Sequence, residues 1–435
     1  MVARFLSVFT LVVSPTAFAA DVFVAPDGDD ANAGTREKPL ATVQKAQDKV
    51  GPGDTVIVRG GTYAVREEQI ARKRRGWAYV TFLDKSGEKG RPITYRAADG
   101  ERPVFDFSAV KPDARVHAFQ VSGSWLHIKG IEVIGVQVTK GGHTQSVCFA
   151  SDGSHNVLEN LSMHDGQAIG IYHIRGSDNL FLNCDAYRNH DHTSEDGKGG
   201  NTDGFGGHPS KGSTGNVFRG CRAWFNADDG FDLINAHEAV TIENCWAMYN
   251  GFGPKFERLA DGNGFKAGGY GSTPAGELPR TIPRHIVRNC VAVANKNSGF
   301  YANHHPGGID WIHNSAYRNG ANFNMLNRLA DNVTDVDGYG HKLINNLAYK
   351  GRDLARIDAA KCELAGNSFT LGLKPAAADF EALDEEELVG PRRADGGLPA
   401  VKFMRPAAGS VVVDRGVETG GAFRGQGPDV GAFER

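Results

Sequence analysis

Between residues 126 and 351 short apolar segments alternate with polar turns in one recurring arrangement. An apolar strand and a turn are followed by a small residue and, three positions later, by Asn or Gly. One copy reads Leu180-Phe181-Leu182-Asn183-Cys184-Asp185-Ala186-Tyr187-Arg188-Asn189, and others run Val217 to Asn226, Thr241 to Asn250 and Ile286 to Asn295. Weaker copies run Asp310 to Asn319 and Leu343 to Gly351, and Leu126 to Gly135 and Val157 to Asp165 fit more loosely. With the small residue as ruler, the column is Glu132, Ser162, Ala186, Ala223, Ala247, Ala292, Ala316 and Ala348, at steps of 30, 24, 37, 24, 45, 24 and 32 residues. A minimum of 24 that recurs three times describes a fixed coil with loops inserted into some turns. Segments this short, β-branched and aromatic, and bounded by Gly, Asn and Asp, are strands. A propeller blade needs about 40–45 residues each time. The pattern therefore predicts an all-β, single-domain, right-handed parallel β-helix of about eight or more coils.

The ends read differently. Residues 21–60 give a strand (Val22 to Ala25), a turn (Asp27 to Gly34), an amphipathic helix (Leu40 to Val50) and a strand (Thr55 to Val58). Such a helix is expected to cap the open end of the coil. The run Asp27 to Asn32 faintly resembles a calcium loop, but a plain turn is the simpler reading. Residues 373–400 read as a covering segment. The β-helical body is thus residues 20–435, with core coils over about 120–370 and a capping segment at each end. Cys184, Cys221, Cys245 and Cys290 share one repeat position. A parallel stack holds them farther apart than the Cβ spacing of about 3.5–4.5 Å that a disulfide needs, which predicts a buried ladder of small residues.

Composition supports the repeat. Of 26 asparagines, 24 fall between Asn156 and Asn346, where they can take left-handed turn geometry and bond their counterparts coil to coil. The 56 glycines show no three-residue period, so the excess is not collagen-like. Lys and Arg number 48 against 51 Asp and Glu, a net of −3, which argues against a nucleic-acid binder. At the start, Met1-Val2-Ala3-Arg4, the apolar stretch Phe5 to Val13 and the Ala17-Phe18-Ala19 site make residues 1–19 a signal peptide of bacterial type. The apolar run is too short to span a bilayer. A soluble, exported monomer is expected, periplasmic or extracellular.

Chemistry enters through a second motif, x-Gly-Phe-x, at Asp203-Gly204-Phe205-Gly206, Asp229-Gly230-Phe231-Asp232, Asn263-Gly264-Phe265-Lys266 and Ser298-Gly299-Phe300-Tyr301. If each Phe points inward, the next residue points out. This gives an outer column Gly206, Asp232, Lys266, Tyr301 beside a column Asp203, Asp229, Asn263, Ser298. Four carboxylates, Asp203, Asp228, Asp229 and Asp232, then converge on two adjacent coils with Lys266 one coil further. So many acids repel unless a cation sits among them, and an oxygen-only donor set outside the cell selects Ca²⁺. A nearby divalent charge lowers the proton affinity of a lysine, so Lys266 is cast as a general base. The combination suits β-elimination of a polyuronate: proton removal alpha to a carboxylate, then loss of the C4–O4 bond. A hydrolase would need two free carboxyl groups flanking the bond.

The segments Asn201-Thr202-Asp203-Gly204-Phe205-Gly206, Cys221-Arg222-Ala223-Trp224 through Asp228-Asp229-Gly230-Phe231-Asp232-Leu233, and Asn263-Gly264-Phe265-Lys266-Ala267-Gly268-Gly269 resemble polysaccharide lyase family 9, the parallel β-helix pectate lyases. The likeness extends from Val22-Phe23-Val24-Ala25-Pro26-Asp27-Gly28 to Pro428-Asp429-Val430-Gly431-Ala432-Phe433-Glu434. It implies that Asp203, Asp228, Asp229 and Asp232 bind the primary Ca²⁺ and that Lys266 is the base. Departures fall where subsites should lie: a long acidic turn His190 to Lys198, His208 and Lys211 after Asp203, and a basic loop Lys255 to Arg258. Arg258, Lys211 and Tyr301 are the candidate substrate-binding residues. The expected substrate is an acidic polysaccharide, polygalacturonate first. Rhamnogalacturonan or another uronate polymer is the alternative within the same chemistry, since the family includes rhamnogalacturonan lyases. A non-catalytic β-helix adhesin or carbohydrate-binding protein is the rival from another class, and Lys266 beside the acids speaks against it.

Overall fold

In the computed structural model, which describes residues 19–435, the chain winds repeatedly through three sheets. One turn lays down Leu180–Leu182, Asp185–Tyr187 and Phe205–Gly207, and the next begins at Asn216–Arg219. The described residues place twelve, ten and eleven strands in these sheets. Every pairing within them is parallel except that of Arg72–Arg74 with Trp77–Leu83. This is a parallel β-helix. The signal segment expected at residues 1–19 lies outside the described residues, apart from its last position. Among the described residues no helix is long and apolar enough to cross a membrane.

The ladder starts well upstream of residue 120, with Asp21–Val24 paired to Thr55–Val58 and that strand to Ile93–Ala97. These first coils lack the Asn and Ala columns that mark the later ones, so the repeat does not announce them. The helix is shorter than Leu40 to Val50. It spans Val43–Gln47, because Leu40 is tied into the edge of the first sheet by hydrogen bonds with Phe23 and Ala25. Thr42 Oγ1 accepts from the Lys45 amide, and Asp30 accepts from the amides of Ala41 and Thr42. The acidic run at Asp27 to Asn32 thus serves the turn and the helix start.

From Ala186 onward the register follows the expected ruler: Ala186, Ala223, Ala247, Ala292, Ala316 and Ala348 are directly paired. Glu132 and Ser162 do not belong to that column. They stand one position short of it, and the residues aligned with Ala186 are Met163 and Val133. A one-residue slip exchanges the two faces of a strand, so Glu132 lies on the outer face, where it pairs with Arg102 and His164.

Asparagine plays two separate parts. Asn160, Asn183, Asn244, Asn289 and Asn345 occupy the left-handed region, φ 52–57°, at the corner between first and second sheets. Asn189, Asn226, Asn250, Asn295 and Asn319 form a buried ladder at the next corner, each amide donating to the following side-chain oxygen at 3.0–3.2 Å. There the left-handed residue is the one before the asparagine (Arg188, Phe225, Tyr249, Ala294, Arg318). The cysteine column is buried and free of disulfides. It passes directly into a second amide ladder, Asn314, Asn346 and Asn367, which accept from the amides of Cys290, Asn314 and Asn346.

Beyond residue 373 the chain runs back along the coil. Phe380, Leu388, Phe403, Met404, Val412 and Val430 pack on Trp224, Trp246, Met248, Val291 and Tyr317, on the outer face of the second sheet. Arg392 fixes the strap by donating to Asp185 and to the carbonyls of Cys184 and Gly220, while Arg222 donates to Asp185 and to Leu388 and Gly390. Burial alone would raise the Asp185 carboxyl, but the two guanidinium groups outweigh it and hold it below the usual range. Arg392→Ala is expected to cost about 2 kcal/mol, the size of a charged hydrogen-bond set. Urea unfolding measures it, and an unchanged midpoint would show that the strap is held by its apolar contacts alone.

Candidate catalytic site

The x-Gly-Phe-x motifs lie on four consecutive strands of the third sheet. Phe205, Phe231, Phe265 and Phe300 are in register and stack inside the coil with ring centroids 4.9, 4.8 and 5.0 Å apart. Strand alternation then turns Gly206, Asp232, Lys266 and Tyr301, also in register, outward. The glycine before each Phe is required by close approach. A Cβ at Gly230 would sit 2.6 Å from the Gly264 carbonyl oxygen and 3.0 Å from the Ala247 Cβ.

Beside this column runs a ladder of side chains. Asp203 Oδ1 accepts from the Asp229 amide at 3.1 Å, and Asp229 Oδ1 accepts from the Asn263 amide and side chain at 2.6 and 2.8 Å. Asn263 Oδ1 accepts in turn from Ser298. Asp232 Oδ1 accepts from the Ile234 amide at 2.7 Å. Each of these three carboxylates therefore has one oxygen fixed by the backbone. Asp203, Asp229 and Asp232 each bring an oxygen within 4.8 Å of the others, and all three are buried. Lys266 Nζ lies 3.1 Å from Asp229 Oδ2 and 3.0 Å from Asp232 Oδ2.

Asp228 adjoins that trio, and among the neighbouring acids its charge acts most strongly on Asp203. Asp228 Oδ1 accepts from the Asp261 amide at 3.0 Å, because the loop between the second and third sheets folds back over it. It is buried and near enough that the Asp229 charge reaches it. Burial first, then the neighbouring acids, raises Asp203 and Asp228 well above the ordinary carboxylate range, and Asp229 is raised in spite of Lys266. Burial works against the charged form of Lys266, but Asp232 and Asp229 outweigh it and hold the amine well above its usual value. One lysine does not balance four buried acids. Asp229 Oδ2 accepts no hydrogen bond despite being buried, and lies 3.1 Å from the ammonium. An oxygen-only, anion-rich cluster with such an orphaned atom fits a hard divalent cation.

The three candidate substrate-binding residues separate. Tyr301 is next to Lys266 in the outer column, its phenol pushed up to about 12, chiefly by burial. Arg258 is exposed on the loop that covers Asp228, stacked over Phe252 at 5.9 Å. Lys211 lines a different depression with His237, Glu238 and Arg280. Sequence reasoning gave no part to Asn263, which holds Asp229 in place. Its position in the column after Asp203 and Asp229 was the available signal.

The stacked parallel coil is shared with known polysaccharide lyases. Residues 22–346 match the family model described as Pel9A-like, right-handed β-helix region. Pectate lyase L of Dickeya dadantii (strain 3937) is 33% identical, covering 99% of this chain and 97% of the relative. Among solved structures, a rhamnogalacturonan lyase is 46% identical with a TM-score of 0.86, over 89% of this chain and 97% of the other. Pectate lyase Pel9A is 32% identical with a TM-score of 0.77, over 97% and 98%. The chain belongs to this Pel9A-like family, polysaccharide lyase family 9, and is a polysaccharide lyase of the pectate-lyase type.

Proposed function

We propose that this enzyme is exported and, as a monomer, cleaves a galacturonate-containing pectic polymer by Ca²⁺-dependent β-elimination, with Lys266 as the base. The observation that carries the reading is Lys266 Nζ at 3.0–3.1 Å from two carboxylates of a buried oxygen-only cluster. Asp203, Asp229 and Asp232 would hold the ion, with Asp228 alongside. Bound there, Ca²⁺ supplies positive charge that offsets the substrate carboxylate and the charge developing alpha to it. Lys266, in its neutral form, accepts the C5 proton. The freed electron pair becomes the C4–C5 double bond, and O4 departs with the electrons of the C4–O4 bond. The acid cluster is committed to the ion and to Lys266, which leaves no carboxyl pair for hydrolysis.

Two polymers divide the similarity. The 46% identity to a rhamnogalacturonan lyase, against 32–33% to the pectate lyases, favours the rhamnogalacturonan backbone. Polygalacturonate is the second reading, favoured by the curated relatives. Both polymers present galacturonate to Lys266. Purified rhamnogalacturonan, polygalacturonate and alginate, each with Ca²⁺ or chelator, decide the matter through the ultraviolet absorbance of an unsaturated uronate end. Binding without any unsaturated product from the panel would return the chain to the adhesin reading.

The pH profile carries a further expectation. Because the acids raise Lys266, the neutral amine grows with rising pH, so kcat/KM should climb on the alkaline side. A profile that peaks in mildly acidic solution would point to a carboxylate base instead.

A further inference from the structure

We propose that a cationic pocket on the same sheet, three coils toward the N-terminus, is a distal subsite for a carboxylated sugar of the same polymer. The proposal rests on the lyase reading for its ligand. The pocket, about 350 Å³, is lined by Arg75, Trp77, Arg115, Lys140, His143 and Thr144. Arg115 opens the strand Arg115–Val121, which is linked through Val147–Ser151 and Ile169–His173 to Phe205–Gly207. Three strand spacings of roughly 4.8 Å place it about 14 Å along the sheet from the acid cluster.

The surface between the two is continuous. Tyr172 pairs with Gly206, and at Gly206 a Cβ would strike Tyr172 and His208 at 2.8 and 2.6 Å, so the ring lies over a bare glycine beside Asp232. The charges of Asp232, Asp203 and Arg115 all reach the Tyr172 hydroxyl. On the other side His143 Nδ1 donates at 2.8 Å to Glu195 Oε1 and lies 3.4 Å from the Asn201 side chain, two residues before Asp203. The long acidic turn thus joins pocket to site.

The chemistry of the pocket is that of an acidic sugar. Trp77 is half-buried, with the Arg115 guanidinium 4.8 Å from its ring and His117 edge-on at 5.0 Å. Among the described residues neither Arg115 nor Arg75 has a carboxylate within ion-pair distance. Lys140 meets Asp113 only at the exposed surface. Arg115 donates to the His143 carbonyl, which holds the guanidinium at the pocket. A fixed arginine with no carboxylate partner recognises a carboxylate, and an aromatic face receives the apolar side of a pyranose.

Two measurements test this. In Arg115→Ala/Lys140→Ala, the ratio of kcat/KM on polymer to that on a short unsaturated-end-forming oligomer should fall about tenfold. In chelator, where cleavage is silent, oligouronate should change the tryptophan fluorescence of the wild type but not of Trp77→Phe, and added salt should weaken the effect. A wild type that cleaves, with no change in either measurement, overturns the subsite and leaves the lyase reading intact. A fluorescence response without cleavage of any uronate polymer supports the pocket while removing the lyase reading. The same response to a neutral oligosaccharide overturns the assignment to an acidic sugar.

Discussion

Lys266→Arg should lose activity about a thousandfold, the scale of a missing general base, while keeping a wild-type melting temperature. Arginine preserves the positive charge facing Asp229 and Asp232 but is not deprotonated in proteins. Lys266→Ala should be as inactive and, unlike the arginine variant, destabilised when no cation is present, since the buried acids then lose their partner. The pair separates proton transfer from charge balance. Steady-state kinetics and thermal melts in Ca²⁺ and in chelator read both. An arginine variant with a tenth or so of normal turnover would remove Lys266 from the role of base.

The second large effect concerns the cation. Chelation should lower the melting temperature by several degrees at about pH 8 and by much less at about pH 5. Asp203, Asp228 and Asp229 have carboxyl pKa values raised in the folded chain, so folding without a cation takes up protons between the unfolded value and the folded one. In that window the folded state binds more protons than the unfolded, and stability falls as pH rises. At the higher pH the acids are charged and need the ion, whereas at the lower pH protons take its place. Ion present at a hundred times its dissociation constant contributes about 2.7 kcal/mol. Asp229→Asn should remove most of the chelator effect. A melting temperature indifferent to chelator at both pH values would leave the cluster without a cation.

The parts of this architecture that were legible are those where one side chain has one job per coil. The Ala186 to Ala348 column and the Asn189 to Asn319 ladder repeat because each coil presents the same inward space and the same corner. Where bulkier residues fill that space, as at Val133 and Met163, the ruler slipped by one and set Glu132 on the wrong face. The site was legible through the Phe205 to Phe300 stack, since strand alternation fixes what faces outward. The hydrogen bond from the Asp261 amide to Asp228 was not, because it depends on how a loop more than thirty residues away in sequence returns to the acids. The Trp77 and Arg115 pocket was hidden for a similar reason: its residues come from separate coils with no shared motif.

The C-terminal strap has a consequence for the order of assembly. A stack of coils is a linear array in which each unit rests on its neighbours, so it can grow from the N-terminus as the chain emerges and can also fray from its last coil. The strap is made after the coils, yet Arg392 reaches back to Asp185 and Val430 returns to the coils of Tyr317 and Leu347. Docking therefore waits until the coils bearing the acids and Lys266 exist, and once made it ties middle to end. Removing residues 373–435 should turn one sharp unfolding transition into a succession of smaller ones that begins at the last coils and moves toward the site.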